Sequence, residues 1–259
     1  MKAIKAIKVR LLAGAMIVFS AMLFGNAATA DHHEGPTFAP VELYSCTFAD
    51  GKGMADLDKV TAKWNAWMDE KGRNDYVAVT LTPQFNDPDL KFDAAWMGFW
   101  PDGKAMGKSL QEWVTEGGKL GAEFDKVMPC DVHQSFAAVT INAPTGPTPE
   151  TAVVVFSNCS IAEGKKPAEA GAALRAWGEY LKSNGIDGPL WSMWPAHGGG
   201  DADFDFKLVA GYNDYQAFGA AFDQFGNGGG YKKAAEIFGG VTDCDVARVY
   251  DMRLRRAIT

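Results

Sequence analysis

The chain has 259 residues, 25 of them basic and 32 acidic, for a formal charge of −7 at neutral pH. With that acidity and no basic run, it is a poor partner for nucleic acid or an anionic lipid surface. Past residue 30 no apolar run is long enough to cross a bilayer, so a membrane-spanning role is not expected.

Residues 1–30 read as a secretory signal. Lys2, Lys5, Lys8 and Arg10 precede an apolar run over 11–24, and Ala28-Thr29-Ala30 has the small-x-small form of a cleavage site. Cleavage there starts the mature chain at Asp31 and places it in the periplasm or outside the cell. Of the 25 basic residues four lie in the leader, leaving 21 against 32 acidic, a charge of −11. No cysteine lies near the cleavage point, so a lipid anchor is not expected. The remaining length suits two domains of about 100 residues each.

Residues 31–40 read as a polar arm. A free amine at Asp31 with His33 in third place offers four nitrogens in a square plane. That geometry suits Cu(II) or Ni(II). The bland alternative is a loose tail.

One stretch organises the rest. Leu43-Tyr44-Ser45-Cys46-Thr47-Phe48-Ala49-Asp50-Gly51-Lys52 returns as Phe156-Ser157-Asn158-Cys159-Ser160-Ile161-Ala162-Glu163-Gly164-Lys165, shifted by 113 positions. The chain therefore reads as one unit written twice, over 41–141 and 152–254. Residues 142–151, with Pro144, Pro147 and Pro149, form a stiff linker between them.

In the first unit a strand is expected at 41–48, followed by a helix whose apolar face is Leu57, Val60, Trp64, Trp67 and Met68, ended by Gly72. The second unit repeats this face as Ala170, Ala173, Trp177, Tyr180 and Leu181, ended by Gly185. A second strand is expected at 76–82, stopped by Pro83, and its counterpart at 190–194, stopped by Pro195. Third strands follow at 92–100 and 204–212, with Gly98 and Gly211 in register. A second helix over 106–127 carries a glycine break at Gly117-Gly118, matched by Gly226 to Gly230, so a kink or two short helices is expected there. Fourth strands close the units at 131–141 and 245–252.

The four cysteines, Cys46, Cys130, Cys159 and Cys244, allow three pairings. The repeat selects Cys46–Cys130 and Cys159–Cys244, one at each unit's opening and close. In a β-α-β-β-α-β unit the fourth strand lies antiparallel beside the first, which brings the same cysteines together. No C-x-x-C occurs, which argues against a redox motif or a zinc ribbon.

Units of this size and order resemble the dimeric α/β-barrel superfamily, which includes antibiotic-type monooxygenases, haem-degrading enzymes and stress-responsive barrel domains. The resemblance is one of topology over about residues 41–252. It implies an α+β fold of two tandem ferredoxin-like units packed as a pseudo-symmetric barrel, and it carries no catalytic residue across.

The chain has eight tryptophans. Helical spacing alone accounts for Trp64, Trp67 and Trp177 as core. Trp96, Trp100, Trp191 and Trp194 have no counterpart in the other unit and are the candidates for lining a ligand cavity. His133 and His197 also break the match, since the other unit has Ala247 and Phe85 there. Their functional readings are general base or axial ligand to haem; the bland reading is a hydrogen-bonded histidine. No cluster with metal-ligand spacing appears in the units.

Three function classes remain. The first is an exported module binding a small apolar or aromatic molecule in a Trp-lined cavity. The second is a monooxygenase-type or haem-using enzyme with His133 or His197. The third is a structural or partner-binding envelope protein. The first two require an aromatic cavity; the third requires an exposed apolar patch.

Overall fold

The computed structural model describes residues 35–200 and 202–258. The expected secretory leader, and the metal site expected at Asp31 and His33, lie outside the described residues. The elements are β1 (Ala39–Cys46), α1 (Met54–Glu70), β2 (Val77–Phe85), β3 (Ala94–Phe99), α2 (Gly103–Glu116), α3 (Gly118–Asp125), β4 (Cys130–Asn142), β5 (Thr151–Ile161), α4 (Pro167–Ser183), β6 (Leu190–His197), β7 (Phe206–Tyr212), α5 (Tyr215–Gly226), α6 (Gly230–Phe238), β8 (Thr242–Cys244) and β9 (Arg248–Arg256).

Eight strands close into a barrel. The order runs β4-β1-β3-β2, continues through β9-β5-β7-β6, and returns to β4; β8 is a short addition beside β5. Every pairing is antiparallel. The strands of the two halves meet at two seams, β2 with β9 and β4 with β6.

Strand periodicity sorts the side chains. Val41, Val79, Met97, Phe136, Val154, Met193, Val209 and Tyr250 fill the barrel interior. The alternate residues face outward, where helices cover them, so several strands are buried on both faces. In α1 the buried residues are Leu57, Val60, Thr61, Trp64 and Met68, a stripe at helical spacing. Its end is marked by Gly72 at φ 63°, a conformation that favours glycine.

Both disulfides have the expected partners, Cys46 with Cys130 and Cys159 with Cys244. The first joins directly paired residues of β1 and β4, the second of β5 and β8.

Several expected boundaries are corrected. β1 ends at Cys46 because Thr47 N and Phe48 N turn to Pro129 O and the Asp93 carboxylate. Pro83 and Pro195 do not stop their strands: β2 runs on to Phe85 and β6 to His197. Each proline sits beside a register shift, where the ladder does not need its missing N–H. The glycine breaks divide the second helical stretch of each half into two short helices, one of the two outcomes expected of them. The first break falls at Gly117, where a Cβ would stand 2.4 Å from the Trp113 ring. The final strand of the second half is split, because the Asp245 carboxylate leaves the ladder to accept from Asn158 N and Arg248.

Candidate functional site

A cavity of about 350 Å³ lies between the outward face of the sheet near β1, β3 and β4 and the helices α1, α2 and α3. Its wall is aromatic. Trp64 of α1 meets Trp96 of β3 edge to face at 5.2 Å, Trp96 meets Phe124 of α3 at 5.8 Å, and Trp67 meets Trp113 of α2 at 5.8 Å. Tyr76 and Trp100 adjoin at 4.8 Å. The glycine at 117 lets the Trp113 ring fold back over the helix break.

Two acids line this cavity, Glu42 and Asp125, and Glu42 is the buried one. Glu42 of β1 is 7 % exposed. A buried carboxylate is costly unless it is hydrogen-bonded, and Glu42 is bonded on both oxygens. Tyr76 Oη donates to Oε1 at 2.6 Å, and His133 Nε2 lies 3.0 Å from Oε2. Trp96 Nε1 donates in turn to Tyr76 Oη at 3.1 Å. The His133 ring, on β4, stacks flat on Tyr44 of β1 with centroids 3.7 Å apart. Strand register explains the stack, since Tyr44 pairs directly with His133.

Burial, followed by the negative charge of Glu42, pushes the Tyr76 phenol well above the ordinary tyrosine range. Tyr44 is pushed up by the same two causes in the same order. Both therefore stay neutral donors at physiological pH. Tyr76 reaches Glu42 only because β3 has glycine at 98: a Cβ there would lie 1.9 Å from the phenol oxygen.

The structure does not gather the four candidate tryptophans. Trp96 and Trp100 line this cavity, and Trp100 Nε1 is buried without a partner among the described residues. Trp191 lines a different cavity, at one end of the barrel interior. Trp194 packs on Phe206 at 4.8 Å and donates to Ser192 Oγ. The histidines also separate. His133 joins the cavity wall, whereas His197 is exposed and bonded to Ser135 Oγ at 2.7 Å. Trp64 and Trp67, accounted for as core by helical spacing, contribute to the wall as well.

Sequence reasoning missed Glu42, Tyr44 and Tyr76. The available signal was an acid inside a strand that helices cover on the face opposite Val41 and Leu43. The exposed apolar surface that a partner-binding protein would need is also present: Phe222 and Phe225 of α5 are 68 % and 46 % exposed.

Haem fits this cavity poorly. Lysine and arginine are missing from the wall, so nothing there would pair with its carboxylates, and the Nε2 edge of His133 is taken by Glu42. Among the described residues there is no group of three or more His, Cys, Asp and Glu side chains placed to hold a metal ion.

No protein-family model and no curated protein matches the sequence. Solved structures do match the fold. A protein of Lactobacillus acidophilus NCFM provisionally named a monooxygenase is 11 % identical, with a TM-score of 0.52 over 86 % of this chain and 96 % of its own. Another provisionally named monooxygenase, from Fusobacterium nucleatum, is 8 % identical, with a TM-score of 0.52 over 86 % and 94 %. A dye-decolorizing peroxidase from Bacteroides thetaiotaomicron is 7 % identical, with a TM-score of 0.50 over 85 % and 94 %. At such identities the likeness extends to architecture alone: the chain has the α+β fold of the dimeric α/β-barrel proteins, with eight strands closed into one barrel.

Proposed function

We propose that this is an exported, tandem ferredoxin-like protein that binds a small planar aromatic molecule in the cavity under α1, α2 and α3. The repeat is supported by strand order, which runs fourth, first, third, second in each half, and by helix faces offset by 113 positions. Export is supported by the leader pattern and by the two disulfides, which belong to an oxidising compartment.

The observation that carries the ligand is Glu42. A paired carboxylate, a neutral phenol and an imidazole stand together in a wall dominated by indole and phenyl rings, with Met68, Leu110 and Met128 between them. That combination accepts a flat ring by its faces and orients a hydroxyl on the ring by hydrogen bonding.

Quenching of protein fluorescence by beta-naphthol and by naphthalene tests this reading. The hydroxylated ring should bind more tightly, Glu42→Gln should shrink the difference, and Gly121→Trp should block both. Equal binding of the two rings, or quenching indifferent to Gly121→Trp, refutes it.

One observation favours a second reading. His133 held by Glu42 is an imidazole with an orienting carboxylate, the arrangement of a general base. In that reading the pair takes the proton of the ligand hydroxyl, and the fold shared with provisionally named monooxygenases is consistent with it. Dioxygen uptake on adding a dihydroxynaphthalene, lost in His133→Ala while binding persists, would distinguish an enzyme from a binding protein.

A further inference from the structure

The second cavity is larger, about 610 Å³, and lies at one end of the barrel interior. Eight-stranded barrels are just wide enough to be filled by their own side chains or to hold one small ligand. This barrel does both. Toward its other end Phe136, Phe156 and Tyr250 pack with Phe92 and Phe204. Toward the cavity the wall residues are smaller: Ala152, Val154, Val79 and Gly211. The linker segment 144–149 lies across this end, and Ala217 and Ala220 of α5 border it.

Such a space is not a packing defect. Native interiors rarely leave voids larger than a water molecule. An apolar void lowers stability in proportion to its volume, and water enters only where polar partners await it. Here the partners are few. The wall has no lysine, arginine or histidine; its polar side chains are Thr145, Thr148, Asp187, Trp191, Tyr212 and Asn213, all at the linker and loop end of the cavity or on the strands that close it. Tyr212 borders the cavity where β7 ends, its ring edge to face with Phe218 of α5, and burial raises its phenol above the ordinary range, so it is a neutral donor.

We propose that this end of the barrel is a second binding site, distinct from the aromatic cavity, for an uncharged chain-like apolar molecule carrying one hydrogen-bond acceptor. The apolar strand faces take the chain and Tyr212 donates to the acceptor. Asp187 is exposed to solvent and no basic residue lines the wall, so either charged head group would lose hydration on the apolar strand faces without a buried partner. The site does not depend on the aromatic ligand proposed above, since it shares no wall residue with that cavity.

The test uses twelve-carbon probes on the full mature chain. Dodecanol, dodecanoate and dodecylammonium compete with omega-bromododecanol, whose bromine quenches tryptophan on contact. Quenching should occur and should be largely lost in Trp191→Phe. Dodecanol should displace the probe at least about tenfold more tightly than either charged analogue. Ala152→Leu should abolish binding and raise the melting temperature by filling the space; Ala220→Trp, at an exposed helix position, should weaken binding without touching the interior. Quenching that survives Trp191→Phe unchanged, binding indifferent to both substitutions, or a charged analogue binding as tightly as dodecanol, would overturn the proposal.

Discussion

The hydroxyl of Tyr76 reaches Glu42 by passing over the Cα of Gly98, with no room for a methyl group between them. β1, β3 and the residue that leads into β2 are thus interlocked, because the Tyr76 bond to the acid of β1 forms only when the middle strand has no side chain. Gly98→Ala should therefore destabilise the protein by ~1–3 kcal/mol through overpacking. Adding Tyr76→Leu should recover part of that loss. Urea unfolding of the single and double variants measures both; additive losses would break the link.

The two buried phenols should be silent in a titration. Burial and the Glu42 charge hold Tyr44 and Tyr76 above the ordinary tyrosine range. Ultraviolet titration of the folded protein should count fewer ionising tyrosines near pH ~10 than that of the unfolded chain. Tyr76→Phe should leave the folded curve unchanged there. The sign for stability follows: the unfolded chain releases these protons first, so stability is lost as pH rises past ~10.

Lys207 should give the opposite slope in a separate window. Its ammonium is largely buried, lies 4.1 Å over the Phe204 ring and donates to Asn158 Oδ1 at 2.7 Å. Burial, then the nearby Arg248, lowers its pKa from 10.5 to about 8. Between those values the unfolded chain binds more protons, so stability rises with pH. The penalty is full below the lower value and amounts to at most about 3 kcal/mol. Lys207→Met should flatten the stability profile between pH ~8 and ~10; a profile unchanged by the substitution would contradict the assignment.

Non-reducing peptide mapping should recover Cys46 with Cys130 and Cys159 with Cys244, and no cross-pairs. Replacing either pair by serine should cost up to ~4 kcal/mol by loop entropy. A Cys46–Cys159 peptide would refute the pairing.

The cysteine pairing and the helix faces were legible in sequence because each depends on spacing alone. The 113-residue echo placed Cys46 and Cys159 alike, and helical periodicity found Leu57 and Trp64. Other features depend on what a residue lacks or faces. Pro83 reads as a strand terminator until the register shift beside it is known. Glu42 reads as an ordinary solvated acid until α1 and α2 cover its side of β1. Of the four surplus tryptophans Trp194 borders neither cavity, and spacing could not assign Trp96 and Trp191 to opposite sides of the sheet.

The seam between β2 and β9 has a consequence for how the molecule is built in time. Arg255 of β9 bonds Asp58 of α1, a partner 197 positions earlier, and Arg256 bonds Asp69. Asn65 of the same helix returns a bond to Arg255 O. The first half therefore cannot complete its own surroundings as it emerges; its helix waits for a strand made almost two hundred residues later. Such non-local pairing slows folding and keeps the nascent chain open. Deleting β9 would accordingly unlatch the barrel and strip α1 of its anchors, instead of shortening an otherwise intact body.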